Sequence, residues 1–179
     1  MQNCTDKLCF EFDNSADKLV SSLQYMLDYI SGNIPARADA EDILFRSKVI
    51  ITELLTNGIK HAGNTSTLFD IEPSPDMLLI RKTDNGQPLY LVNAHKHTTA
   101  QADDNKKLIS ADFLNSLYAI WESDNHIRFA SEEVSFDDMP VEQVMEHFGI
   151  LIITRSSDEF TYSYEQATGS NIFTVQIRL

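Results

Sequence analysis

The spacing of apolar and polar residues changes period several times along the chain, and the changes mark its elements. Leu8-Cys-Phe10-Glu-Phe12 alternates like a half-buried strand. Asp13-Asn-Ser15 then offers capping side chains to a helix over 16–30, where Leu19, Leu23, Met26, Leu27 and Ile30 recur at core spacing. Gly32 and Pro35 punctuate its end. Asp39 is a candidate N-cap for a second helix, over 43–62, that closes at Gly63-Asn64.

Two strands are expected next, over 66–71 and 77–83, joined by the turn Glu72-Pro-Ser-Pro-Asp76. The second runs straight into Asp84-Asn-Gly86. From about 89 to 146 the pattern loosens into a long polar insertion. Within it, Ile109, Phe113, Leu117, Ile120 and Trp121 share a helical face, which predicts a helix over 108–121 and an insertion packed on the domain as a lid. Residues 141–147 read as helical and 148–153 as an apolar run, and strands over 160–164 and 172–179 are joined through Gly169-Ser170. Grouped helices and antiparallel strands predict an α+β fold, a two-layer sandwich with helices on one face of a mixed, mainly antiparallel sheet. The 179 residues, 42% of them hydrophobic, suit one domain spanning 1–179.

The second helix carries the most chemistry. At about 100° per residue Glu53, Asn57, Lys60 and His61 fall on one stripe, while Ile51, Leu55, Ile59 and Ala62 point to the other side. A carboxylate can take a proton from a hydroxyl, an amide oxygen suits Mg²⁺, and an amine one turn on can meet phosphate oxygens. Solvation of an amphipathic helix by the same four residues is the plainer reading. Asp84-Asn-Gly86 likewise reads by itself as a β-turn.

Charge and cysteines narrow the field. A formal net charge of −13 argues against a nucleic-acid groove, because phosphate backbones demand a basic footprint. No apolar run approaches the ~20 residues of a membrane span, and the start lacks a signal-peptide core, so a cytoplasmic location is expected. Cys4 and Cys9 have no later partners and read as ordinary thiols. His95 and His97, with no third ligand, read as a solvated loop, as does 103–107, from which Lys106 or Lys107 would close over phosphates if the insertion is a lid.

Glu53-x-x-x-Asn57-x-x-Lys60-His61, with Asp84-Asn-Gly86 at a strand end some two dozen residues later, resembles the N box and first glycine box of the GHKL (histidine kinase-like) ATPase superfamily. Gly149-Ile-Leu151 is similar to the remains of the second glycine box, and Gly169-Ser170 with Phe173 to the last. In element order the chain looks most like the single-domain anti-sigma factor serine kinases of partner-switching systems, over nearly its whole length except residues 89–145.

The resemblance implies a Bergerat-type ATP-binding fold, ATP and Mg²⁺ as cofactors, and serine/threonine kinase-like signalling. Its partner would be a protein, a sigma factor or antagonist-like regulator, with a homodimer as the family-like assembly. It implies Glu53 as general base, Asn57 as the Mg²⁺ ligand, and Lys60 and His61 beside the phosphates. Asp84 would accept from the adenine amino group, with Gly86 turning the backbone beside the base. Gly149 and Ile150 would lie at the phosphate loop, and Ser170 on the last strand. The chain departs from the pattern at His147-Phe148-Gly149-Ile150, which has one glycine and serves equally as a core helix start, and at Pro88, where a second glycine is expected. The alternative is therefore a non-catalytic nucleotide-sensing or protein-interaction module with an eroded phosphate loop.

Overall fold

A computed structural model describes residues 7–36, 39–62, 66–89, 91, 105–111, 115–133 and 148–179. Strand β1 (Leu8–Phe12) leads through a 3-10 turn (Ala16–Lys18) into α1 (Leu19–Asn33) and then α2 (Ala40–His61). Strands β2 (Thr67–Pro73) and β3 (Met77–Asp84) follow. Next come β4 (Lys106–Ala111), β5 (Asn115–Ser123) and β6 (His126–Glu133). Helix α3 (Phe148–Ser156) precedes β7 (Glu159–Glu165) and β8 (Ser170–Arg178).

The eight strands form one sheet in the order β1-β2-β3-β8-β7-β6-β5-β4. Every described pairing is antiparallel, so the sheet is not mixed. Helix α2 packs between α1 and α3; α1 also meets β2, and α3 meets β6 and β7. This is an α+β fold of two layers. Its core joins Ile50, Ile51, Leu54 and Leu55 of α2 to Phe69, Ile80, Val175 and Phe160 of the sheet. Alternation makes that layer: in β3 every second residue, from Leu78 through Ile80 and Lys82 to Asp84, is buried.

Two sequence expectations need correction. Residues 108–111 and 115–121 are not a helix but parts of β4 and β5, because Leu117, Ala119 and Trp121 bury every second side chain. A hairpin turn at Asp124-Asn125 then pairs β5 with β6. Apolar residues four apart satisfy both periods, and only strand pairing distinguishes them. The described part of the insertion thus extends the sheet. The apolar run from 148 is itself a helix, α3, while the helix expected over 141–147, the helix closure at Gly63-Asn64, Cys4, His95, His97 and Asp103 lie outside the described residues.

Local details fit the chain's small residues. Asp39 holds the N-cap position of α2, its carbonyl accepting from the Ile43 amide at 3.1 Å. Acidic Glu41 and Asp42 open that helix and Lys60 and His61 close it, each matched to the helix dipole. Asn14, in the left-handed region at φ 57°, places Oδ1 where it accepts from the Thr67 hydroxyl at 2.8 Å. A Cβ on Gly58 would lie 2.6 Å from that oxygen, so α2 passes this loop only with glycine there.

Candidate functional site

Two clusters form along the exposed-to-buried margin of α2. The first gathers Glu53, Asn57 and the first turn of α3. A Cβ on Gly149 would stand 2.8 Å from Glu53 Oε2 and 3.8 Å from Asn57 Nδ2. Glu53 and Asn57 are half-buried one turn apart, and Ile150, next to Gly149 in α3, is 7% exposed and belongs to the core. An apolar anchor at 150 seats the helix start while glycine at 149 leaves room for a carboxylate. The free amides of a helix start favour anions.

The second cluster lies beyond the end of α2. Asp84 ends β3 and turns back: its Oδ1 accepts from the Gly86 amide at 2.9 Å and from Asn171 Nδ2 at 3.0 Å. Its Oδ2 accepts from Lys82 Nζ at 2.5 Å. Gly86 sits hard against the helix, since a Cβ there would fall 2.5 Å from the His61 carbonyl oxygen and 3.1 Å from Ala62 Cα. Ser170, 8% exposed, donates from its hydroxyl to Asn85 Oδ1 at 2.9 Å and so ties β8 to the same turn.

Asn171 also donates to the Gly86 carbonyl at 3.1 Å and accepts at Oδ1 from the Tyr162 hydroxyl at 2.7 Å. That hydroxyl in turn accepts from the Leu89 amide at 3.1 Å. Asp84, Lys82 and Asn171 are 6%, 1% and 2% exposed. Their register explains the meeting: Asp84 pairs with Asn171 and Lys82 with Phe173, all on the helix-covered face. Lys82 Nζ lies 4.8 Å from the centre of the Phe173 ring.

Burial dominates the electrostatics. It pushes the Asp84 carboxyl up, but the Lys82 charge and hydrogen bond, then the Gly86 amide and the Asn171 side chain, together hold it below its ordinary value. Burial pushes the Lys82 ammonium down by more than Asp84 restores. Both partners move down because Asp84 has two amide donors in addition to its ion, whereas Lys82 leans on Asp84. Tyr162 is pushed up to about 12 by burial, against the lowering effect of the Leu89 amide and with Asp84 adding to the rise.

Of the residues singled out in the sequence, Glu53, Asn57 and Gly149 come together, as do Asp84, Gly86 and Ser170, while Ile150 lies in the core. The side chains of Lys60 and His61 are exposed on the last turn of α2. Three partners escaped notice: Lys82, Asn171 and Tyr162. Lys82 carried a readable signal, because it shares strand parity with Leu78, Ile80 and Asp84 and so points into the core. For a cation, Asn57 and Glu53 offer oxygen donors one helical turn apart, the hard donor set that Mg²⁺ takes alongside phosphate oxygens. Among the described residues no three or more His, Cys, Asp or Glu side chains gather as a metal site, and no helix is long and apolar enough to cross a membrane. Compared with known protein families and with curated proteins, the chain matches no family model and no curated relative.

Proposed function

We propose that the chain is a Mg-ATP-binding regulatory protein of the GHKL type, similar to an anti-sigma serine/threonine kinase that binds a protein partner and phosphorylates that partner's antagonist. The reading rests on one observation above the others: Gly149 opens α3 directly against Glu53 and Asn57. A proton acceptor, an amide side chain and a helix start are thereby brought to one place, although the residues are far apart in the chain.

In this reading Asp84 accepts from the exocyclic amine of adenine, and the Gly86 turn lets the base lie along the backbone. The amides opening α3 hold phosphate oxygens, with Asn57 contributing its carbonyl oxygen to Mg²⁺. The metal, when bound, neutralises charge on the phosphates. Glu53 takes the proton of the attacking serine or threonine hydroxyl, and Lys60 and His61 add positive charge at the end of α2. The single glycine at 147–150 favours a second reading, a module that binds nucleotide and partner without transfer.

Calorimetric titration with ATP and ADP, with and without Mg²⁺, tests the site. Wild type is expected to bind ATP. Asn57→Ala is expected to lose the Mg²⁺ dependence, and Asp84→Ala to weaken binding by about 10- to 100-fold, the value of a hydrogen bond to a charged group. Absence of binding at millimolar nucleotide would remove the proposal. Transfer of label from ATP to a protein hydroxyl, lost in Glu53→Ala, separates kinase from binding module.

A further inference from the structure

Strand β1 closes one end of the sheet, and among the described residues β2 is its one neighbouring strand. The backbone amides and carbonyls along its outer side are therefore open to another strand. Proteins often guard such an edge with a proline or a bulge; β1 has no proline and pairs with β2 in unbroken register from Leu8 to Phe12. Its residues divide by face. Phe12 is buried, but Leu8 and Phe10 on the same face stay half-buried. Tyr25 of α1, whose ring centre is 5.4 Å from that of Phe10, is 52% exposed. Lys7, Cys9 and Glu11 belong to the opposite face and are exposed.

The order of these residues is symmetric about Cys9. In an antiparallel pair, residues directly opposite share a face, and a twofold axis at Cys9 sets Cys9 against Cys9, Leu8 against Phe10 and Lys7 against Glu11. We propose that β1 is a homodimer surface: it pairs antiparallel with β1 of a second copy of this chain in that register, joining the two eight-stranded sheets edge to edge.

Charge favours this occupant. Each copy carries a net −13, so unspecific association is resisted. At the twofold axis the ends of β1 attract instead, because each lysine faces a glutamate. Within one copy Lys7 has an ion pair with Asp70 at 3.0 Å, and Glu11 accepts from the Ser66 hydroxyl at 2.5 Å through one of its two oxygens. Sliding the second copy by two residues in either direction sets Lys7 or Glu11 against Cys9 and loses both pairs of opposite charge. On the helix side, Leu8 of each copy stands about 5 Å from Phe10 of the other and covers the apolar strip that α1 leaves open. The proposal does not depend on nucleotide binding, and its test contains no nucleotide.

Sedimentation velocity of the full chain across about 1–100 μM, the range of a weak specific pair, is expected to show monomer passing to dimer. Glu11→Lys sets lysine against lysine at both ends, and Lys7→Glu sets glutamate against glutamate. Each variant alone is expected to weaken the dimer by about tenfold or more. Mixed in equal amounts, the two are expected to pair with each other, since every opposing charge is again of opposite sign. Both positions are exposed, and circular dichroism equal to wild type checks that each variant folds. In a Cys4→Ser background Cys9 is the one remaining thiol. A short bismaleimide is then expected to join two copies, and to fail to do so when Glu11→Lys is added. A monomer at every concentration would overturn the proposal. So would a dimer that the single variants leave intact and that Cys9 does not cross-link, because its contact lies on another surface. A mixture that fails to pair would overturn the register.

Discussion

Lys82 stands one strand step below Asp84 on the covered side of β3, and the residue is 1% exposed with a carboxylate 2.5 Å from its ammonium. Breaking such a pair from one side leaves an uncompensated charge in the core, which costs about 3–5 kcal/mol, whereas removing both charges is often neutral. Lys82→Met is therefore expected to lower unfolding free energy in urea by roughly that amount. Lys82→Met with Asp84→Asn is expected to recover most of it. The pH dependence follows from the depressed Asp84 carboxyl. Its contribution is complete above the ordinary carboxylate value and is lost as pH falls through the lower folded value, so wild type should lose stability below about pH 4.

Among elements, α3 has a polar anchor at its C-terminal end. Arg46 of α2 donates from Nε to the Ser156 carbonyl at 2.8 Å and from Nη2 to Asp158 at 2.7 Å. The Arg178 amide of β8 donates to the same Asp158 oxygen at 2.9 Å. One arginine thus ties the end of α3 to α2 and β8. Arg46→Ala is expected to cost about 1–2 kcal/mol in chemical unfolding, more than an exposed ion pair because a helix-end carbonyl loses its donor. Partial burial pushes the Asp158 carboxyl up, but the Arg178 amide and Arg46 hold it below its usual value, so this anchor too weakens in acid and not in base.

Much of this level was legible in the sequence. The periods of α1 and α2 and the alternation of β2, β3, β7 and β8 show in single segments, because each keeps one buried face. Glu53 and Asn57 were legible as a helical stripe, and Asp84 as the end of a strand. The hairpin of β5 and β6 was not, since Ile127 and Phe129 stand among charged residues and Leu117 to Trp121 fit a helix equally well. Asn171 was invisible for another reason: its role exists only once β3 and β8 pair in register.

At the scale of the molecule, the order of strands makes β8 the link between two parts of the sheet. Strand β8 lies between β3 and β7, and so joins the sheet half built from β1, β2 and β3 to the half built from β4 to β7. Without residues 170–178, β3 and β7 have no common partner and each presents an unpaired edge. Asp84 then lacks its Asn171 donor as well, so that hydrogen bond and the closed sheet form together. Such long-range closure is slow compared with helix formation, and the interval is when a chain of this topology is open to pairing with another copy of itself. A separately supplied peptide of residues 170–179 is a natural competitor for that gap. The strand that joins the two parts of the sheet is thus also the place where they can be held apart.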